Sequence, residues 1–205
     1  MDWIFFDLGS TLIDESACAE ARTEALLRQP GAPDRGTLEK RMAELAAENR
    51  LPYKDAAKEF GLETMKWPGH LEKLYPGVPE LLEKLQKKYR LGIIANQNVG
   101  TEARMEAFGI RRYFDVIVSS AEEGIAKPDP RIFLLALERA GCRPGETWMA
   151  GDRLDNDILP AAKLGMKTIW IRQGSFAGGN PAKLGIRPDL TVGSIGEAAE
   201  YFLTP

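Results

Sequence analysis

Histidine is almost missing from this 205-residue chain, in which His70 stands alone. Zinc sites built from several histidines are therefore excluded, and a Ser-His-Asp triad would have to use that one residue. Cysteine is nearly as scarce. Cys18 and Cys142 give no disulfide framework, and two reduced thiols are expected. Basic charge is not in excess either. The 27 Lys and Arg against 30 Asp and Glu leave a formal charge of −3, which gives no support to nucleic-acid binding. No apolar run reaches the roughly 18 residues that suggest a membrane span. Asp2 and Asp7 stand where a secretory signal would carry basic residues. A cytoplasmic protein with no nucleic-acid or membrane partner is expected. If it does acid–base or metal chemistry, carboxylates must do most of it.

What the chain does have is a set of short, continuous apolar runs that stop at small or polar residues. Trp3 to Phe6 stops at Asp7, and Leu91 to Ala95 stops at Asn96. Val116 to Val118 stops at Ser119, Thr147 to Ala150 stops at Gly151 and Asp152, and Thr168 to Ile171 stops at Arg172. Continuous runs are expected of strands covered on both faces, as in parallel sheets. Helical stripes lie between them: Val78, Leu81, Leu82, Leu85 and Tyr89 share one face. A second helix starts after Pro128 and Pro130 and ends at Gly141, and a third runs from Asp157 to Leu164, closed by Gly165. The alternation predicts an α/β fold around a parallel sheet. From about Glu15 to Leu74 no convincing strand is visible. Three or four helices, broken near residues 30–33, Pro52 and Gly61, are expected there as an insertion. The glycine- and proline-rich stretch 172–190 reads as an exposed loop before a last short strand and helix.

In an open parallel sheet, ligands sit beyond the carboxyl ends of the strands. Asp7, Asn96, Ser119 and Asp152 occupy those ends, with Asp157 just beyond. A lone strand-end aspartate is commonly a helix N-cap. Three carboxylates converging on one crevice would repel, so a cation is expected. With few nitrogen or sulfur ligands available, it should be a hard, oxygen-seeking ion, which favours Mg²⁺.

The segment from Trp3 to Asp14, WIFFDLGSTLID, resembles the first motif of the haloacid dehalogenase-like (HAD) hydrolase superfamily. Leu91–Asn96 resembles its second motif, Gly124–Phe133 its lysine motif, and Met149–Ile158 its fourth. The four occur in the family's order and cover roughly residues 1–14 and 76–205. The resemblance implies a Rossmann-like core formed by residues 1–13 and 76–205, with an inserted α-helical cap over residues 14–75. It implies a Mg²⁺-dependent phosphatase acting on a small phosphorylated metabolite. Asp7 would be the nucleophile that becomes an aspartyl phosphate. Asp7, Asp152 and the carbonyl of Gly9 would ligate the metal, supported by Asp157. Lys127 would neutralise Asp7 and the phosphoryl oxygens. Ser10, Thr11 and Asn96 would complete the phosphate cradle.

Two positions depart from the family pattern. The family has a second aspartate two residues after the nucleophile, as general acid and base; Gly9 stands there. Ala95 replaces the second motif's Ser or Thr, with Asn96 next to it. A positioned acid/base typically contributes about 10²–10⁴-fold; either the substrate has a good leaving group, or the proton comes from the substrate or from a cap residue such as Glu15, His70 or Lys54. Three readings follow: a phosphatase, a dehalogenase or phosphonate-cleaving hydrolase, or a non-catalytic or regulatory HAD-fold binding protein. The acidic fourth motif argues against the metal-free dehalogenase chemistry.

Overall fold

A computed structural model describes residues 2–204. The first strand, β1 (Trp3–Phe6), is buried along its whole length. A two-residue strand β2 (Ile13–Asp14) follows, then helices α1 (Ser16–Leu27), α2 (Arg35–Ala47) and α3 (Pro52–Glu59), and a second two-residue strand β3 (Lys73–Leu74). The remaining elements alternate: α4 (Val78–Leu85), β4 (Arg90–Ala95), α5 (Thr101–Ala107), β5 (Val116–Ser119), α6 (Ser120–Glu123), α7 (Pro130–Ala140) and β6 (Thr147–Gly151). The chain ends with α8 (Leu159–Lys163), β7 (Lys167–Ile171), β8 (Leu190–Val192) and α9 (Ile195–Leu203).

Six strands form one parallel sheet in the order β5-β4-β1-β6-β7-β8. Successive side chains of a strand point to opposite faces, and both faces are covered. Ile4 and Phe6 pack with Val78, Leu82 and Leu85 of α4 and with Ala198 and Phe202 of α9. Trp3 and Phe5 pack with Ile132, Phe133 and Ala136 of α7 and with Ala161 of α8. This two-sided burial is why the strands read as continuous rather than alternating apolar runs. Among the described residues no helix is long and apolar enough to cross a membrane. Cys18 and Cys142 are both free.

Three local readings are corrected. The stretch expected to be free of strands contains β3, which pairs antiparallel with β2 through Ile13–Leu74 and Asp14–Lys73. Two residues are too few for any periodic signal. The helix expected over 157–164 is a wide π-type turn, Leu154–Ile158, followed by α8. Pro160 has no N–H to donate, so it cannot carry α-helical bonding back into that turn. Regular α4 ends at Leu85, although Tyr89 N still donates to Leu85 O at 2.9 Å.

The helices between β2 and β3 have a small core of their own. Leu26, Leu38, Leu45, Tyr53, Ala56 and Leu62 bury one another there. Local sequence explains where these helices begin. The Asp34 carboxylate accepts from Thr37 N at 3.0 Å and so caps α2, and Pro52 occupies the first position of α3.

Candidate active site

The topology brings Asp7 and Asp152 side by side, because each follows one of two adjacent parallel strands. Asp7 N donates to Ala150 O at 2.9 Å, extending the β1–β6 ladder to the site itself. Asp152 is held through its own carbonyl, which accepts from Trp170 Nε1 at 2.9 Å. Asp157 arrives from the π-type turn, and Arg153 N donates to its Oδ2 at 3.0 Å. Gly151 admits this approach, since a Cβ at that position would overlap the Asp157 carboxyl. One carboxylate oxygen from each of Asp7, Asp152 and Asp157 lies within 4.8 Å of the others.

Lys127 reaches into this cluster from the loop before α7 and is only 4 % exposed. Its Nζ donates to Asp7 Oδ1 at 2.6 Å, to Asp157 Oδ1 at 2.6 Å and to Ile94 O at 2.8 Å. Burial works against the ammonium, but the Asp157 and Asp7 carboxylates outweigh it and hold its pKa above the ordinary lysine value. One lysine cannot compensate three buried carboxylates. Burial, with Asp157 and Asp7 close by, drives the Asp152 pKa well above the ordinary aspartate value. Burial also lifts Asp157 to about 6, partly offset by Lys127. A carboxylate set with this residual negative charge, built from oxygen donors, suits a hard divalent cation.

The other expected site residues divide. The side-chain amide of Asn96 is taken up by the main chain of Lys127: its Oδ1 accepts from Lys127 N at 2.7 Å and its Nδ2 donates to Lys127 O at 2.8 Å. Asn96 thereby fixes the lysine, and the second N–H of its amide is left over at the wall of the cavity, which Asn96 also lines. Thr11 is fully buried and does not line the cavity. The chain turns sharply there, with the N–H groups of Thr11, Leu12 and Ile13 all aimed at Leu8 O. Ser119, also at a strand end, is buried, shares a 2.7 Å hydrogen bond with Thr101 and does not line the cavity. Gly9 and Ser10 do line it.

Glu15 occupies the space beside Gly9. A Cβ on Gly9 would lie 2.5 Å from Glu15 Oε1, so glycine at this position makes room for the glutamate carboxylate. Ser10 Oγ donates to Glu15 Oε2 at 3.0 Å. Burial pushes the Glu15 carboxyl up to about 7, against the lowering effect of the Ser10 hydrogen bond and with help from Asp7. Of the other groups considered as proton sources, Lys54 lines the cavity, whereas His70 is exposed and does not.

These groups share a cavity of about 280 Å³. Asp7, Lys127, Asp152 and Asp157 form its floor, and Arg22 of α1, Tyr53 and Lys54 of α3, and Trp67 between α3 and β3 line it from the other side. Ser175 and Phe176 line it too. The stretch 172–190 is therefore not simply an exposed loop: Gln173 Nε2 donates to Ser10 O at 3.2 Å, and Arg153 stacks 4.3 Å from the Phe176 ring. Nothing in its composition signals that contact, since Gly, Ser and Phe here have no periodic partner.

Comparison with known proteins agrees with the geometry. A glyceraldehyde 3-phosphate phosphatase of Pyrococcus furiosus is 34 % identical over 196 residues, covering 85 % of this chain and 82 % of the relative. A phosphoserine phosphatase of Thermus thermophilus is 31 % identical over 174 residues, covering 85 % of this chain and 60 % of the relative. The crystal structure of a HAD phosphatase from Thermococcus onnurineus superposes with a TM-score of 0.64 at 25 % identity, covering 100 % of this chain and 98 % of that one. The family model for haloacid dehalogenase-like hydrolases matches residues 1–165, and the chain belongs to that family.

Proposed function

We propose that this protein is a phosphatase that hydrolyses phosphomonoesters of small metabolites, with Asp7 as nucleophile. The observation that carries this reading is the buried bridge from Lys127 Nζ to Asp7 and Asp157, with Asp152 beside them at the ends of β1 and β6. The relatives named as phosphatases support the same reaction class.

In the reaction, an oxygen of Asp7 attacks phosphorus, the ester bond to the leaving group breaks, and an aspartyl phosphate forms. Lys127 offsets negative charge on Asp7 and on the phosphoryl oxygens without having to move, which is catalysis by preorganised electrostatics. Asn96 acts as a positioning residue through the Lys127 main chain. Family phosphatases generally use Mg²⁺, and the carboxylate set fits it: Asp7, Asp152 and the Gly9 carbonyl would hold the ion, with Asp157 adjacent. When bound, the ion would supply further positive charge to the phosphoryl group.

Glu15 takes over the proton work that Gly9 cannot do. Its carboxyl gives a proton to the departing oxygen; as carboxylate it then takes one from the water that attacks the aspartyl phosphate, which returns Asp7 and releases phosphate. Residues 14–75 act as a cap over this floor, excluding bulk water and selecting the substrate. The β2–β3 pair would serve as the paired hinge where the chain enters and leaves the cap.

A panel of phosphorylated metabolites, assayed with and without Mg²⁺ on wild type and Asp7→Asn, tests the reading. Release of phosphate by the wild type alone is expected. Equal inertness of the two proteins, or halide release from haloacids without metal, would overturn it.

A further inference from the structure

Arg22 carries a charge that the described residues leave without an anion. It lies on α1 between Glu20 and Glu24, yet both of those carboxylates turn to Arg35 of α2. Arg22 instead lines the active-site cavity, in the company of Tyr53, Lys54 and Trp67. Its guanidinium carbon sits 3.5 Å from the centroid of the Tyr53 ring and 5.3 Å from that of Trp67.

Both rings are themselves tied down. Tyr53 is 8 % exposed, and its hydroxyl accepts from Met65 N at 2.8 Å. Trp67 Nε1 donates to Glu72 Oε1 at 2.6 Å. The guanidinium is thus held by π faces, which stabilise a cation but accept none of its in-plane hydrogen bonds. Its Nε is buried and has no partner among the described residues. A planar fork of donors fixed in this way is suited to a carboxylate or phosphate, which it can bind through two parallel hydrogen bonds. Lys54, on the same wall, adds a second positive charge. The Asp7–Lys127 floor and Arg22 line one cavity of about 280 Å³, so a single small molecule can meet both.

We propose that Arg22 binds a second oxyanion on the leaving group, so that the preferred substrates are phosphomonoesters that also carry a carboxylate or another phosphate. The inference rests on the phosphatase reading above for its reaction, but binding alone can test it.

The probes are non-hydrolysable phosphonate analogues of glycerol phosphate, phosphoglycerate and propanediol bisphosphate, titrated calorimetrically into wild type and Arg22→Met. The methionine keeps an apolar side chain over Tyr53 while removing the charge. The wild type should bind one or both of the analogues that carry a second anionic group at least about tenfold more tightly than the glycerol analogue. Which of the two binds better separates a carboxylate subsite from a phosphate subsite. In Arg22→Met that preference should fall to within about threefold.

Equal affinity of the wild type for all three analogues would overturn the proposal. So would an equal loss for all three in Arg22→Met, because it would mark Arg22 as a packing residue. If Arg22→Met unfolds, Arg22→Lys provides the second measurement: it keeps the charge but loses the fork, and should lower the preference without abolishing it. Hydrolysis of the parent esters is assayed separately. Preference without turnover would refute the phosphatase reading and leave the oxyanion subsite standing, whereas turnover without preference would do the reverse.

Discussion

The α/β core and the helices between β2 and β3 handle charge in opposite ways. In the core, Lys127 is nearly sealed from solvent and bonded to two carboxylates that are themselves largely buried. In the helices, Arg35 meets Glu20, Glu24 and Glu39, and Arg41 meets Glu44 and Glu59, all on the surface. Exposed pairs of this sort are worth little, because water and salt screen them. Buried ones are expensive to desolvate and worse to break. A charge cluster that is costly to keep and placed where ligands bind marks function; one that is cheap and peripheral marks solubility. Arg22 is the exception in the helical region. It is the arginine there that faces the cavity, held by aromatic rings rather than by carboxylates.

The sharpest way to break this contrast is to remove charges from the floor. Asp7→Asn should lower phosphatase turnover by about 10⁴-fold or more in a steady-state assay, as expected for loss of a nucleophile. Glu15→Gln should reduce turnover of alkyl phosphates by about 10²–10⁴-fold, with a much smaller loss for aryl or acyl phosphates, whose leaving groups need no proton. Gly9→Asp alone should bring no net gain, since the new side chain displaces the Glu15 carboxylate from its place. The double change with Glu15→Ala should recover part of the activity lost by Glu15→Ala alone.

Stability gives the next effects. Lys127→Met leaves buried carboxylates unpaired and should cost about 3–5 kcal/mol in denaturant titrations. Glu15 contributes a pH dependence with a definite sign. Its pKa rises from 4.5 to about 7 on folding, so the folded chain binds the proton more tightly than the unfolded one. Stability should therefore fall as pH rises from about 4.5 to about 7, then level off. Glu15→Gln, which never ionises, should be more stable than wild type by up to about 3 kcal/mol above pH 7, and the difference should vanish below about pH 4.5. Thermal melts across that range check it. At the small end, Arg35→Ala removes three surface partners at once and should shift stability by under about 1 kcal/mol. A larger loss would mean that the helices depend on their surface network and that the contrast is wrong.

Part of the floor was legible in sequence because Asp7 and Asp152 each follow a recognisable strand, whereas Lys127 is marked only by the resemblance of its motif. An apolar run ending in Asp places that carboxylate at a strand's carboxyl end, and adjacent parallel strands then bring Asp7 and Asp152 together. Asp157 lies in the π-type turn after β6 and Lys127 in the loop before α7, so both positions are set by the flanking elements. Adjacency to the motifs assigns Thr11 and Asn96 to the phosphate but does not say which way a side chain faces. The turn after Leu8 hides Thr11, whereas Asn96 lines the cavity and also holds the Lys127 main chain. Glu15 could be named beside His70 and Lys54 as a candidate proton source; that its carboxylate lies against Gly9 depends on the chain folding back, which no spacing rule conveys.

The sequence by itself determined the parallel α/β core, because that follows from local apolar runs, and its near absence of histidine directed attention to carboxylates. Only the tertiary structure decided that Glu15 fills the space Gly9 leaves, that residues 174–176 reach the site, and that Arg22, Tyr53 and Trp67 form one wall. Those contacts join positions far apart in sequence through packing of aromatic and charged side chains, and packing has no period to read.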